Sequence, residues 1–182
     1  MAAAFADDPL TTFCVRADAQ RYPAMQAGFK RALELYRPHG LTFIANDGTG
    51  VAIWARHDQW QLTFAQECAL IPLYVYVCGV GRFMRLVRGI EALKSHHPVE
   101  PHYYLYMLGV HPDYQSQGLG SALLRIMLER CDREHMPAYL EASHPRNISL
   151  YQRHGFRLMR ELQFGPGGPS LRAMWREPRI GS

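Results

Sequence analysis

The sequence predicts a mixed α/β protein (α/β or α+β) forming one domain over residues 1–182, on three observations. Residues 102–110 are a nearly continuous apolar and aromatic run, the pattern of a strand buried on both faces. Leu119, Ala122, Leu123, Ile126 and Met127 form an amphipathic stripe at helical spacing. Around these two segments, short strand-like and helix-like stretches alternate, as they do in a single mixed sheet flanked by helices. A chain of 182 residues, 48% of them hydrophobic, is long and apolar enough to bury its own core.

The elements follow in order. Met25, Phe29, Leu33 and Tyr36 share one face of a helix within residues 18–36, and Gly40 is placed to stop it. Residues 41–45 read as a strand, Asn46-Asp47-Gly48 as a hairpin turn, and residues 51–55 as the return strand. Residues 58–97 read as helical, broken into pieces by Pro72 and by the Gly79 and Gly81 pair. Pro137 opens a strand at 138–142, and a short helix spans 147–154. Strands at 156–164 and 171–176 flank the loop Gly165-Pro166-Gly167-Gly168-Pro169.

Composition excludes several classes. The net charge of +4 is spread along the chain, with no basic run carrying interleaved aromatics, so no nucleic-acid partner is expected. A mildly basic protein still favours a polyanionic ligand. Cys14, Cys68, Cys78 and Cys131 form no C-x-x-C pair and read as reduced, mostly buried thiols of a cytoplasmic protein. Of the nine histidines, His96 and His97 are adjacent and no H-x-x-x-H occurs, so no metal is expected. The first residues lack the basic and apolar regions of a signal peptide. The most apolar segment, 69–80, is too short to span a bilayer and contains Pro72, so no membrane is expected.

The most informative segment is the polar loop between the buried strand and the amphipathic helix. It ends in Gln115-Ser116-Gln117-Gly118-Leu119-Gly120. The first turn of a helix has unpaired N–H groups and the positive end of the dipole, and glycines let a ligand approach the backbone. Together they suit a pyrophosphate. A bare G-x-G fits a simple tight turn as well. A dinucleotide fold would place Glu141 near the ribose, but its third glycine is Leu123 here and no second nucleotide-binding half follows. No Gly-Lys-Ser/Thr follows either, which excludes a Walker A loop.

The same segment matches the Q/R-x-x-G-x-G/A motif of the GNAT acetyltransferases. Val110-His111-Pro112-Asp113 resembles the V-x-P preceding it, and Leu150-Tyr151-Gln152-Arg153-His154-Gly155-Phe156 resembles the downstream L-Y-x-x-x-G-F. The chain thus resembles the GNAT N-acetyltransferase superfamily, and within it the puromycin N-acetyltransferase-like proteins. That finer likeness lies in Leu140-Glu141-Ala142-Ser143, Pro145-Arg146-Asn147 and the early Ala3-Ala4-Phe5-Ala6-Asp7-Asp8-Pro9. It covers most of the chain and is loosest over residues 57–97.

The resemblance implies a mixed, mostly antiparallel central sheet flanked by helices, a cofactor-binding core over about 102–164, and acetyl-coenzyme A as cosubstrate. The strand 103–110 should splay from the strand carrying Glu141. The pantetheine arm then lies in the gap, against backbone groups of Leu108, Gly109 and Val110. Gln115 and the amides of Ser116, Gln117, Gly118, Leu119, Gly120 and Ser121 are implied to hold the pyrophosphate. Asn147 and Tyr151 join the cofactor site. Asn147 lies four residues before Tyr151, closer than in many relatives.

Acetyl transfer needs a base for the ammonium, a donor for the charge that develops on the thioester oxygen, and an acid for the leaving thiolate. Glu141 is the expected base and Tyr151, with an ordinary pKa near 10, the expected acid. The Val110 N–H is the implied oxyanion donor. Plain alternatives stand beside these roles: a solvated glutamate at a strand end, and an aromatic core contact. Cys131 is expected only to pack.

The expected function is direct acetyl transfer to a primary amine of a small molecule. The alternatives are transfer to a protein or peptide amine, and a non-catalytic acyl-coenzyme A-binding module. Trp54, Trp60, Phe64, Tyr74 and Tyr76 could wall the acceptor pocket, although core packing is their commoner use. The family's usual first strand and most of its first helix have no counterpart ahead of Ala2. The strand at 41–45 is therefore expected to be an exposed sheet edge, covered by a homodimer contact or a local segment, or left by a shortened chain. Residues 11–16 are the candidate replacement strand.

Overall fold

A computed structural model describes residues 1–45 and 48–179. Six strands form one sheet in the order β1-β2-β3-β4-β6-β5. They are β1 (Thr42–Ala45), β2 (Gly50–Arg56), β3 (Tyr103–Val110), β4 (Ala138–Ala142), β5 (Arg157–Gln163) and β6 (Ser170–Arg176). Only β3 and β4 run parallel; every other neighbouring pair is antiparallel. The expected mixed, mostly antiparallel sheet is therefore present. Asn46 and Asp47 of the expected hairpin turn lie outside the described residues.

Six helices flank the sheet: α1 (Pro9–Cys14), α2 (Arg21–Tyr36), α3 (Phe64–Cys78), α4 (Val80–His96), α5 (Leu119–Arg133) and α6 (Ile148–Arg153). Helices α5 and α6 cover one face. Leu123, Leu124, Met127 and Tyr151 pack there on Trp54, Leu105 and Leu140. Helices α1 to α4 cover the other, where Cys14, Cys78, Tyr104 and Tyr139 meet Phe164 and Leu171. Local chemistry sets the ends. Pro9 opens α1 behind Asp8, whose Oδ1 accepts from the N–H groups of Leu10 (2.9 Å) and Thr11 (3.3 Å). Thr63 and Gln66 form a capping box that starts α3.

One expectation needs correction. Pro72 does not break the 58–97 region, because it sits inside α3. Pro72 and Cys68, whose carbonyl loses its partner, are both exposed, so water can replace the missing N–H. The break is at Gly79 alone (φ 69°), while Gly81 lies within α4 and residues 58–63 are not helical. Residues 11–16 supply no strand: they belong to α1 and the extended link after it. Among the described residues no strand pairs with the outer side of β1, and Ile44 is 61% exposed there.

Two features fix the helical layer to the sheet. Arg176, 3% exposed, makes a bidentate pair with Asp132 of α5 (2.7 and 2.8 Å) and donates to the His154 carbonyl at 2.9 Å. Gly89 of α4 lies against the buried ring of Phe164, with no room for a β-carbon. Gly89→Ala should therefore destabilise the protein by about 1–3 kcal/mol in urea denaturation. Adding Phe164→Leu should recover part of that loss; equal midpoints for wild type and Gly89→Ala would contradict this packing.

Candidate active site

β3 and β4 are hydrogen-bonded only where Tyr103 meets Ala138 and Tyr104 meets Tyr139. Beyond these pairs the strands part. The His111 N–H donates to the Thr49 carbonyl (2.8 Å), toward β2. Alternation along a strand then turns the N–H and C=O of Val110, and of Leu108, into the gap. The Gln115 side chain takes up one of these groups, its Nε2 donating to the Val110 carbonyl at 3.0 Å.

The gap opens into a cleft of about 530 Å³. It is lined by Leu108, Gly109, Val110, Gln115, Ser116, Gly118, Leu119, Gly120, Ser121, Asn147 and Tyr151. The structure thus gathers most of the expected cofactor residues in one place. Gln117 is the exception: its Nε2 donates to the Asp113 carbonyl, outside the lining. Ser116 (φ 62°) and Gly118 (φ 83°) both adopt left-handed backbone, which turns the loop sharply into α5. No side chain caps α5, so its first-turn amides are left facing the cleft.

Other lining residues were not singled out from sequence. His144, Arg146 and Arg153 flank the cleft and suit a polyanion. The first residues form part of its wall. A β-carbon on Gly109 would meet Phe5 at 2.8 Å and Met1 at 3.1 Å. Asp8 bridges to the far side, accepting a short hydrogen bond from the Ser143 hydroxyl just past β4. Tyr151, 7% exposed, packs edge-on to Phe156. Burial, reinforced by the Asp8 carboxylate, pushes its phenol well above the usual tyrosine range, so it stays protonated at neutral pH.

With that geometry in place, comparison with known proteins decides the family. The model described as "Acetyltransferase (GNAT) family" matches residues 33–156, more than half of the chain. The chain belongs to the GNAT acetyltransferase family. It is similar, at 26% identity over 98% of its length and 77% of the other's, to an uncharacterized N-acetyltransferase of Schizosaccharomyces pombe. A solved structure from Corynebacterium glutamicum, described as histone acetyltransferase HPA2 and related acetyltransferase, is 25% identical with a TM-score of 0.68. That match covers 99% of this chain and 88% of the other. A Drosophila melanogaster polyamine N-acetyltransferase that forms N-acetylagmatine shares the fold at 16% identity and a TM-score of 0.61, over 95% of this chain and 88% of that one.

This GNAT enzyme therefore belongs to a family that uses acetyl-coenzyme A. The donor set fits that molecule. Free amides at the start of α5 suit the pyrophosphate, and the backbone of Leu108 and the Val110 N–H, turned into the gap, suit an amide-bearing arm.

Glu141 lies elsewhere. It is on β4, on the side of the sheet covered by α1 to α4, and lines neither the cleft nor any solvated strand end. Its side chain is 5% exposed. The Tyr104 hydroxyl donates to Oε2 at 2.7 Å, while Oε1 has no hydrogen-bond partner among the described residues and stands 3.6 Å from His97 Nδ1. Hydrogen-bond bookkeeping fixes the neighbours. His102 Nδ1 lies 2.7 Å from the Glu100 carbonyl and must carry the proton. His102 Nε2 then accepts from His97 Nε2 at 3.1 Å, which leaves His97 Nδ1 turned to Glu141. Trp60 stacks on His97 at 3.8 Å and closes the cluster from above. Glu141 is thus a buried carboxyl group held through one oxygen, with the other free of hydrogen bonds among the described residues.

The five aromatics offered for an acceptor wall do not form one. Trp54 is wholly buried on the α5 side, Phe64 is 82% exposed and Tyr76 is exposed too, while Tyr74 lies beneath α2 and α3 and Trp60 stacks on His97. Cys131 is buried in the core, its thiol pushed up to about 12 by burial, as befits a packing residue.

Burial pushes the His102 ring down to about 4, against the partial opposition of its bond to the Glu100 carbonyl. An unfolded histidine titrates near 6.5, so between these values the unfolded chain holds a proton that the folded chain does not. Stability should then be full above about pH 6.5 and fall as pH drops toward 4, by on the order of 3 kcal/mol. Urea titrations across this range should show the slope, and His102→Asn should flatten it.

Proposed function

We propose that this enzyme transfers the acetyl group of acetyl-coenzyme A directly to a primary amine of a small molecule. The observation that carries this is the cleft where β3 and β4 part, with the uncapped start of α5 at one end and Tyr151 within it. In this scheme the amides of residues 116–121 hold the pyrophosphate, with Arg146 and Arg153 adding positive charge. The Leu108 and Val110 backbone orients the arm, and the Val110 N–H is the donor toward charge developing on the acyl oxygen. The Tyr151 hydroxyl gives its proton to the departing sulfur. Glu141 takes the proton of the amine from the opposite side of the sheet, with Tyr104 and His97 fixing its carboxylate.

The small-molecule choice is supported by the covered acceptor side, where α2, α3 and α4 lie over the sheet. Similar folds act on small amines: one is an agmatine N-acetyltransferase.

Binding and chemistry are separable by substitution. Gly118→Asp places a carboxylate, and a strained left-handed side chain, where the pyrophosphate would sit, and Gly120→Glu adds like charge there. Either should weaken acetyl-coenzyme A binding by about 100-fold or more in calorimetry. Unchanged affinity in a folded variant would sink the proposed pyrophosphate site.

Glu141→Gln and Tyr151→Phe should keep cofactor affinity within a few-fold and lower turnover by about 10²-fold or more. Wild-type rates for both variants from about pH 6 to 9 would show the acid–base roles to be wrong.

A further inference from the structure

A second cavity, of about 190 Å³, lies between α1, α2, α3 and β3, on the same side of the sheet as Glu141. Met25, Phe29, Leu73, Tyr74, Val77 and Tyr106 are among its walls. No aspartate or glutamate lines it. Its one charged lining residue, Arg31, pairs with Glu34 at 3.3 Å. Burial raises the phenols of Tyr36, Tyr74 and Tyr106, so all three present neutral hydroxyls at physiological pH.

We propose that this cavity receives the hydrophobic end of the acceptor, making the substrate a monoamine with an aryl or comparable apolar tail and not a polyamine. The proposal rests on the acetyl-transfer function above and names its substrate class. Three observations support it. An apolar cavity of about 150 Å³ is enough to hold benzene, so the volume here takes one aryl ring. A polyamine would bury a second ammonium against a wall with no carboxylate, which is costly without a partner. The cavity floor also leads to the chemistry. Tyr106 and Met107 belong to it, and the next residues of β3, Leu108 and Gly109, line the cofactor cleft. Two to three strand residues span roughly 7–10 Å, the reach of an aryl ring carrying a short methylene arm and an amine. Helix α1 joins the two sites in the same way, with Leu10 and Thr11 on the cavity and Asp8 on the cleft.

The test uses the full chain saturated with coenzyme A. Binding of 2-phenylethylamine and of spermidine is measured by calorimetry, and free-thiol release is followed separately with acetyl-coenzyme A and each amine. Phenylethylamine should bind, and spermidine should bind at least about ten-fold more weakly. Ala32→Phe, on the α2 wall, fills the cavity and should weaken phenylethylamine by about ten-fold or more while leaving coenzyme A affinity unchanged. Should that variant not fold, Leu62→Trp decides, because it fills the cavity from the loop ahead of α3. The proposal is overturned if phenylethylamine does not bind, if it binds a filled variant as well as wild type, or if spermidine binds as tightly. Phenylethylamine binding without thiol release from any amine would uphold the cavity and count against acetyl transfer. Spermidine acetylation without phenylethylamine binding would do the reverse.

Discussion

The parting of β3 and β4 after two residue pairs is the constraint on which the rest of this molecule depends. A parallel pair that ends early leaves N–H and C=O groups in the middle of a sheet, where unpaired backbone is costly. The surrounding structure answers in several ways. Gln115 reaches back to the Val110 carbonyl. The first residues pack on Gly109, and Asp8 ties them to Ser143 on the far side. What remains open is a row of backbone groups next to the uncapped start of α5. The same gap that weakens the sheet therefore provides a ligand site, and it connects the sheet's two faces.

The other face shows how a fold keeps a carboxylate away from water and still usable. Glu141 is held by one phenol and faced by one imidazole, and the imidazole is set by a second, which is set in turn by a backbone carbonyl. Each link fixes which nitrogen carries a proton. Such a chain has few alternative arrangements, so the carboxyl group is held in one place. A carboxyl group at the centre of a sheet is costly to bury, and this chain of partners offsets part of that cost.

The phosphate loop was legible in the sequence because its chemistry is local. A strand, a polar turn, two glycines and an amphipathic helix are contiguous, and the structure brings them together without help from distant segments. The strand and helix spans of residues 103–176 followed equally from periodicity. Glu141 shows the opposite case. Its position on a strand could be read, but its burial depends on His97, His102, Tyr104 and Trp60, from segments widely separated in sequence. Pro72 misled because the rule against proline assumes that the orphaned carbonyl has no other partner, and exposure on α3 removes that penalty. The role of Asp8 as a clasp across the cleft also has no local signature beyond the helix cap it forms.

One irregularity in β3 carries further meaning. Against β2 the register slips between Ile53 and Trp54, so Tyr106 is an extra residue in the strand. Before it, Tyr103 and Leu105 face α5; after it, Leu108 does. The bulge reverses the parity of the strand, and Tyr106 and Met107, consecutive in sequence, both face the layer of α1 to α4. Were the strand to alternate regularly through Tyr106 and Met107, Leu108 and Gly109 would exchange sides, and a leucine would meet Met1, Ala4 and Phe5, where even a β-carbon would lie 2.8 Å from the Phe5 ring. Which side chains form the wall of the cleft therefore depends on where the strand bulges as much as on the residues it carries.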